Sequence, residues 1–539
     1  MTMKRFLSLI ATVALSALTL NAQSTIFGGE VISPPNMSHM EAAKYAQTEH
    51  TFLTSRVAAM GGAFTALGAD LSSMSINPAG LGMYRGSALS LSMAYDHTRS
   101  TNGTAARGVG KGDFSFNQIG TALNLYQSSG ALASVTLAFG YNRVADLNFR
   151  NSAMWGGGEV TIGEFFAEQM YGFNPSALNS SADPFRNSNI YTDEWGGVLA
   201  YQTYFIDPAL DQNQTFLNNY YVTGVPLENK VNSLLNVESN GSVGEYDFSM
   251  GFNFANFLYL GATIAVQDIQ QEIYYSYEES YTGATGADEL SYTRYTPMVA
   301  SYGSGVNFKL GAIVRPISAL RLGIAYHTPT FVGLTRDYRT YMQTEFANGD
   351  AYGANSLTSS YTYSYNSPAK LLLGASLSLG NKAIISVDYD KVWYGNMTME
   401  NRDMEEAFAA DVANDLGTAE NYRAGLEIRP IEQLYLRAGY AYYGTPFNKQ
   451  TDRYNDDGYP FYGTYKSHSN NFSLGAGWRF ASGSSLDFVW TLSRAHYTNS
   501  VMYYYSYVDA DTSITVAGPT MPNTVHSTNN FGLTYSVRF

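Results

Sequence analysis

Cysteine is absent from the 539 residues, and charged side chains are scarce. No disulfide and no thiolate metal site can therefore form. Asp, Glu, Lys and Arg make up 14% of the chain, against about 25% in ordinary soluble domains. The 31 basic residues are outnumbered by 45 acidic ones, which gives a net charge of −14. This balance argues against a nucleic-acid partner.

Long hydrophobic runs are also missing after the first 22 residues. The longest of them, such as 258–266, are short and interrupted by Gly or Thr, and the mean hydropathy is −0.18. These features exclude a bundle of transmembrane helices. They do not exclude a membrane-spanning barrel, because a barrel strand faces lipid only at every second residue.

The first residues predict export from the cytoplasm. Lys4 and Arg5 precede an apolar stretch that ends at Leu20, and Ala22 supplies a small residue before Gln23. This arrangement predicts a cleaved signal peptide over 1–22 and a mature chain that starts near Gln23. An uncleaved anchor is disfavoured because the stretch is short for a span of about 20 residues.

Aromatic residues and glycine are abundant instead, with 44 Tyr, 29 Phe and 50 Gly. Tyr suits a membrane interface, where its ring lies among lipid headgroups and its hydroxyl stays hydrated. The segment 87–98 alternates apolar and small or polar residues with a period of two. The C-terminal segment 525–539 alternates in the same way and ends on Phe539. An amphipathic last strand that ends on an aromatic residue resembles outer-membrane barrels, whose assembly machinery reads that strand.

Fourteen segments with this alternation are predicted to be strands. Each has at least roughly the 9–11 residues that cross a bilayer at a tilt, and bacterial single-chain barrels have an even number of strands. The segments are 87–98, 113–126, 131–153, 244–254, 257–281, 300–314, 319–342, 357–379, 382–398, 420–429, 433–446, 469–481, 485–507 and 525–539.

The connections between these segments alternate in length. Those after odd-numbered strands are long (99–112, 154–243, 282–299, 343–356, 399–419, 447–468 and 508–524), and those after even-numbered strands are tight turns. Outer-membrane barrels have short periplasmic turns and long extracellular loops, whereas a soluble sandwich has no reason to sort its loops. The predicted fold is therefore an all-β, transmembrane antiparallel β-barrel of about 14 strands, occupying 87–539.

Individual strands indicate which face meets lipid. Arg479 should point into the lumen, because a charge facing hydrocarbon is costly. Leu436 should face outward and Gly439 inward. Inward glycines either leave room for something inside the barrel or only relieve crowding. Two loop segments, Ile162 to Met170 and Met404 to Leu416, are predicted to be helices that either cap the mouth or form exposed surface.

Residues 23–86 precede the first strand and lack its alternation. They contain Arg56-Val-Ala-Ala-Met-Gly-Gly-Ala-Phe-Thr-Ala-Leu-Gly-Ala-Asp70, followed by Asn77-Pro-Ala-Gly-Leu81. Paired glycines allow a tight turn, and Asn-Pro starts and stiffens a turn. A compact segment of small residues would fit inside a fourteen-strand lumen that is otherwise open. Alternatively, Asn-Pro-Ala-Gly is only the turn that leads into the first strand.

This segment resembles the N-terminal hatch of the FadL/OmpP1/TodX family, which carries hydrophobic compounds through fourteen-strand barrels with a plug inside. The resemblance covers the hatch closely and the barrel only in architecture. It is carried by Gly61, Gly62, Ala69, Asp70, Asn77, Pro78 and Ala79. It implies that gating residues lie in the hatch, 23–86, at Gly61, Gly62, Asp70, Asn77, Pro78, Ala79 and Gly80.

In well-studied members of that family a kink in the third strand opens a lateral exit toward the membrane. Here the third segment contains polar residues that break its alternation: Asn142, Arg143 and Asp146, shortly after Gly140. A bulge or kink there would open the wall. The other interpretation is that these residues lie where the strand leaves the bilayer.

The resemblance implies passive transport of small hydrophobic molecules, such as long-chain fatty acids, across the bacterial outer membrane, by a monomer without cofactor or metal. The implied partners are the hydrophobic ligand, outer-membrane lipid and lipopolysaccharide, and the barrel assembly machinery. An enzyme is disfavoured because neither Gly-x-Ser-x-Gly nor His-Glu-x-x-His occurs, and the acids of Asp452 to Gly458 are in the wrong register for a calcium loop. A general diffusion porin, with opposed charged clusters and no plug, and a structural or adhesive barrel remain the alternatives.

Overall fold

The fold is taken from a computed structural model. It describes residues 25–27, 37–50, 53–102, 109–211, 215–226, 229–283, 286–400, 405–448, 466–497, 500–501, 504–508, 513–521 and 524–539. The expected signal peptide, 1–22, and the run Asp452 to Gly458 lie outside these residues.

The chain forms a closed antiparallel barrel of fourteen strands. Strands one to seven are β1 Ala88–Asn102, β2 Val109–Gln127, β3 Leu132–Asp146 with Phe149–Gly158, β4 Lys230–Phe254, β5 Leu258–Thr282, β6 Leu290–Val314, and β7 Leu320–His327 with Phe331–Phe346. Strands eight to fourteen are β8 Ser359–Asn366 with Lys370–Leu379, β9 Ala383–Trp393, β10 Thr418–Ile428, β11 Leu434–Tyr443, β12 Lys466–Arg479, β13 Ser485–Tyr497 and β14 Thr524–Arg538. Pairing of β1 with β14 closes the ring.

The predicted fold class, strand count and short turns are confirmed, and several strand ends differ from the prediction. β4 begins at Lys230 rather than 244, β6 begins at Leu290 rather than 300, and β13 ends at Tyr497 rather than 507. The early starts have a physical reason. Buried apolar side chains on these extensions, such as Leu235 of β4 and Tyr295 of β6, pack against the longest loop, and the loop's own sequence does not reveal that contact.

The alternation sorts side chains to the two faces of the wall. Phe472, Leu474 and Trp478 on β12 are exposed on the outer face, whereas Ser473 is buried. On β11, Leu436 faces outward and Arg437 is buried inside. An apolar exterior around a polar lumen is the pattern of a barrel that faces lipid.

Of the predicted hatch, 23–86, residues 37–50 and 53–86 lie inside the barrel, and we refer to them as the hatch. It contains α1 His39–Ala46, α2 Ser55–Ala59, α3 Ser73–Ile76 and a 3-10 helix, Pro78–Met83. Side-chain caps start three of these helices: Ser38 forms a capping box with Glu41, Thr54 caps α2, and Asn77 caps the 3-10 helix. Such caps satisfy the first backbone N–H groups of each helix.

The longest loop folds into a cap over β4 to β7. It contains α4 Ile162–Gln169, α5 Pro175–Leu178, α6 Trp195–Gln202 and a hairpin of Ile206–Leu210 with Phe216–Thr223. Short 3-10 turns occupy Ser180–Ala182, Pro184–Arg186 and Thr192–Glu194. The cap buries an apolar core that includes Phe165, Phe166 and Trp195. No helix within the described ranges is long and apolar enough to cross a membrane.

A second loop element lies against the hatch. After β9 come a 3-10 turn, Tyr394–Asn396, the short strand Thr398–Met399, and α7 Glu405–Asp415, which matches the predicted helix. Phe408 and Val412 of α7 share an apolar cluster with Ala42 and Tyr45 of α1. The remaining short strands are Ala351–Asn355 beside β7, Thr25–Phe27 with Tyr504–Val508 and Ser513–Ala517, and Ser500–Val501 with Thr520–Met521.

Candidate functional site: the hatch and the third strand

The paired glycines turn the hatch tightly against the wall. Gly61 and Gly62 have φ values of +61° and +75°, a left-handed conformation that other residues rarely adopt. A Cβ on Gly61 would lie 2.7 Å from the Tyr440 backbone, and a Cβ on Gly439 would overlap the Gly61 backbone nitrogen. The room left by the inward Gly439 is therefore filled by the hatch.

Asn77 connects the hatch to itself and to two wall strands. Its Oδ1 accepts a hydrogen bond from Ala79 N at 3.1 Å, and its Nδ2 donates to Thr65 O at 2.7 Å. The same Nδ2 lies 3.4 Å from Ala312 O and 3.3 Å from Ile324 O. The side chain is 1% exposed. Asn-Pro-Ala-Gly therefore packs within the lumen instead of acting only as the turn into β1.

Asp70 joins the residue that caps α2 to the residue that precedes α3. Its Oδ1 accepts hydrogen bonds from Thr54 Oγ1 at 2.8 Å and from Ser72 N at 3.0 Å. Thr54 N in turn donates to Ser72 Oγ at 3.1 Å. These buried bonds hold the start of α2 against the start of α3, so the hatch core is one connected unit.

Three polar contacts hold the hatch core to charged groups of the wall. Arg56 Nε pairs with Glu427 Oε2 at 3.2 Å. Thr65 N donates to Asp388 Oδ2 at 2.8 Å, and Ser75 Oγ donates to Glu245 Oε1 at 2.7 Å. Buried carboxylates need such partners, since an unpaired buried charge is expensive. The wall therefore offers acceptors, and the hatch supplies donors.

The lumen contains more charge than the composition suggests. Arg437 pairs with Glu427 and Asp487, both at 2.6 Å, and Arg423 pairs with Asp388 and Asp390. Lys309 pairs with Glu245 and lies 3.4 Å from Asp247. The few charges of the chain thus concentrate inside the barrel, where they bind one another and the hatch.

The third strand is interrupted near Arg143 and Asp146, for which the sequence left two interpretations open: a kink, or the point where the strand leaves the bilayer. Pairing with β4 changes register between Arg143 and Ala145, and the strand stops at Asp146 and resumes at Phe149. Asp146 Oδ1 accepts hydrogen bonds from Asn148 N at 3.1 Å and Asn148 Nδ2 at 2.7 Å, which form a local turn. Arg143 bridges this point to Asp96 at 3.0 Å and Asp146 at 2.5 Å.

Beyond this break the wall is not closed by strand pairing. β2 pairs with β3 only from Gln118↔Asn142 to Gln127↔Ser134. Among the described residues, 109–116 of β2 pair with β1 but with no residue of β3, and Asn117 is skipped by a shift in the pairing with β1. The second part of β3 stays paired with β4 and turns toward β1, where Ser100 Oγ donates to Arg150 O. A gap in the ladder therefore opens between 109–117 and 143–158.

Two small cavities flank the hatch segment 46–50. The first, about 50 Å³, has a mixed polar and apolar lining, in which the titratable groups include His50, His327, Lys370, Glu49, Glu245 and Asp390. The second, about 100 Å³, lies between this segment and the break, and Ala145 to Phe149 line it. Glu49 lines both cavities and accepts hydrogen bonds from Ser469 and Asn471 of β12. Residues 46–50 thus separate the two spaces.

His50 occupies the hatch side of the first cavity. Its backbone N donates to Tyr443 Oη at 3.1 Å, and its Nδ1 lies 3.4 Å from Gly62 O. Burial, reinforced by the nearby Arg423 guanidinium, holds the pKa of His50 well below its usual range. The imidazole is therefore neutral while the hatch is seated.

The structure brings the hatch residues together and divides the strand residues into two groups. Gly61, Gly62, Asp70, Asn77, Pro78, Ala79 and Gly80 all lie in the hatch core. Arg143 and Asp146 lie at the break of β3. Asn142 instead binds Asp247 at 2.7 Å in the lumen, and a Cβ on Gly140 would lie 2.6 Å from Met74 of the hatch.

Sequence reasoning missed the wall residues that receive the hatch, above all Glu245, Asp388 and Glu427. The available signal was a charge at an inward position of an alternating strand. That signal predicts that these side chains face the lumen, but it does not predict which hatch atom meets them. Within the described ranges, no group of three or more His, Asp or Glu side chains is placed to hold a metal ion.

Comparison with known proteins gives a likeness of fold. No family model matches the sequence, and no curated protein matches it. A solved structure of a Pseudomonas aeruginosa FadL homologue is similar, with a TM-score of 0.50 at 13% identity, over 90% of this chain and 98% of that one. The P. putida toluene transporter TodX (TM-score 0.47, 13% identity, 90% and 97% covered) and the Ralstonia pickettii toluene transporter TbuX (0.44, 15%, 90% and 98%) were also found. The chain thus shares the fold of the FadL homologue.

Proposed function

We propose that this chain is an outer-membrane channel for small hydrophobic molecules. The molecules enter the barrel and leave it sideways, through the break in β3. The observation that carries the proposal is the gap between β2 and β3 beside a cavity, in a barrel whose axis is filled by the hatch. A hydrophobic molecule gains nothing from an aqueous exit, whereas a side exit delivers it to lipid. The fold shared with a FadL homologue supports the same function.

Passage requires the hatch to move. The cavities of about 50 and 100 Å³ are well below the roughly 300–1,000 Å³ of ordinary ligand sites. Segment 46–50 stands between them, so a shift of this segment would join the first cavity to the space beside the break. We therefore assign gating to the hatch, with Gly61, Gly62, Asp70 and Asn77 to Gly80 holding its resting position.

The side of the first cavity that Lys370 lines suits a cargo with an acidic head. Lys370 Nζ donates to Thr48 Oγ1 at 2.6 Å and to Ala46 O at 3.2 Å, and no described carboxylate lies within 4 Å of it. A carboxylate could replace these neutral acceptors and gain a charge-assisted hydrogen bond. A long-chain fatty acid is accordingly the proposed cargo, and passage is passive.

The test is uptake of radiolabelled long-chain fatty acid by cells that express the wild type or Ala145→Phe. Ala145 is 4% exposed and lines the second cavity, so a phenyl ring there occupies the space beside the break. We expect uptake to fall at least tenfold. The matched control is Ala438→Phe, at an outward position of β11 away from both cavities. Heat-modifiable mobility checks that both variants fold.

Equal uptake by Ala145→Phe and wild type would refute the side exit. Lys370→Gln tests the cargo separately: fatty-acid uptake should fall while uptake of neutral toluene is unchanged. Loss of both activities would argue against an acidic head. Free passage of small sugars through the wild type would favour a diffusion porin, because the hatch would then not block the lumen.

A further inference from the structure

A row of polar side chains crosses the outer face of three neighbouring strands. Arg99 of β1 and Arg494 of β13 both pair with Ser527 of β14, one from each side. Paired residues point to the same face of a sheet. Thr98 and Ser100 are buried on the inner face, and both arginines are exposed, so the row faces outward.

Neither guanidinium has a carboxylate partner in the described part of the chain. The two arginines stand two strands apart, which is about 10 Å between backbones. Their side chains can therefore converge on one anion above the Ser527 hydroxyl. Forked guanidinium donors match the oxygens of a phosphate.

The row lies at the edge of the apolar band. Two rows below it, toward the short turns, a row of apolar side chains crosses β1, β14, β13 and β12 and faces outward: Tyr95, Phe531, Trp490 and Leu474. Above it, the strands end in the long loops. A surface at this level of the outer wall meets lipid headgroups, because the bilayer surrounds the barrel there.

Neutral polar groups flank the two arginines. Asn470 pairs with Arg494, and Asn529 lies one row below Ser527. Their Oδ1 atoms accept hydrogen bonds from Tyr440 Oη at 2.8 Å and Trp490 Nε1 at 3.1 Å. Among the described residues neither amide nitrogen has an acceptor, so both are left to donate to a ligand. Sugar hydroxyls are acceptors of this kind.

We propose that Arg99, Arg494 and Ser527 form a binding site for the phosphorylated sugar headgroup of an outer-leaflet glycolipid. We refer to it as the headgroup site. The inference rests on the outer-membrane location in the proposed function, but it does not depend on cargo or gating. The two arginines bind the phosphate, and Asn470 and Asn529 bind the sugar.

The experiment measures binding of diphosphorylated lipid A to the folded barrel in micelles of a neutral detergent, by titration in native mass spectrometry. Arg99→Gln/Arg494→Gln should weaken binding about tenfold or more, since each basic residue near a membrane surface contributes on the order of 1 kcal/mol. Lys382→Gln/Arg429→Gln removes the same charge at the short-turn end and should leave binding within twofold. Lipid A without phosphates should bind the wild type as weakly as lipid A binds the Arg99/Arg494 variant.

Equal affinity of the wild type and the Arg99/Arg494 variant would overturn the proposal. Equal binding of phosphatidylglycerol and lipid A at this site would also overturn it, because the sugar would then contribute nothing. The readout uses isolated protein. A failed uptake experiment therefore leaves this result unaffected, and a failed binding experiment leaves the transport proposal standing.

Discussion

Replacing Asn77 with alanine should loosen the hatch and leave the barrel folded. The change removes the acceptor for Ala79 N at 3.1 Å and the donor to Thr65 O at 2.7 Å. Both backbone groups are buried, and each loses its partner at a cost of about 1–3 kcal/mol. We therefore expect the free energy of hatch opening to fall by about 3 kcal/mol. That difference corresponds to a roughly hundredfold larger opening constant.

Hydrogen–deuterium exchange measures this constant directly, because protected amides exchange in proportion to local opening. Peptides from 54–86 should exchange about a hundred times faster in Asn77→Ala, whereas peptides from β10 and β11 should not change. The matched control is Asn307→Ala, which removes a bond to Thr330 within the wall and should leave hatch exchange unaltered. Hatch exchange within threefold of wild type in Asn77→Ala would refute the role assigned to Asn77.

Two further predictions concern the seating of the hatch. Gly439→Val should displace the hatch, because any Cβ at that position overlaps the Gly61 backbone. The conductance of the barrel in planar bilayers should therefore rise. The control is Gly333→Val, where a Cβ meets nothing within 4 Å, and it should conduct like wild type. Acidification should also loosen the hatch. The pKa of His50 lies well below 6.5 in the seated hatch, so the open form binds the proton first. The seated position of the hatch is then fully stable above about pH 6.5, and it is destabilised as the pH falls below that value. After correction for the intrinsic rate, hydrogen exchange of the hatch should be faster at pH 5.5 than at pH 7.5, and His50→Gln should remove that difference. An unchanged difference in the variant would exclude His50 as the titrating group. The charged and titratable groups around His50 are Arg423, Lys370 and His327.

The barrel itself could be predicted almost completely from local patterns. Alternation along each strand and the sorting of long and short connections depend on residues near one another in sequence, and they predicted fourteen strands, the outward face and two loop helices. The errors occurred where a strand continues beyond the bilayer, as at Lys230 and Leu290. There the extension is held by the cap over β4 to β7, which is distant in sequence.

The hatch could be identified but not placed. Its glycines and Asn77 predicted tight turns and a compact unit, and the resemblance to a known hatch predicted that it plugs the barrel. Its partners could not be predicted. Thr65 meets Asp388, Ser75 meets Glu245, and Gly61 meets Gly439 across sequence separations of 323, 170 and several hundred residues, and no local pattern encodes such a pairing.

Local patterns were therefore enough to predict the class of fold, the polar lumen and the apolar exterior, because period-two burial and turn chemistry act within a few residues. The plug was expected from the resemblance to a known hatch. How the wall opens at β3 and how segment 46–50 divides the lumen depend instead on contacts between residues far apart in the chain, which closure of the ring brings together. Pairing of β1 with β14 fixes where every inward side chain points, and the hatch and the second part of β3 then take the positions that satisfy the buried charges.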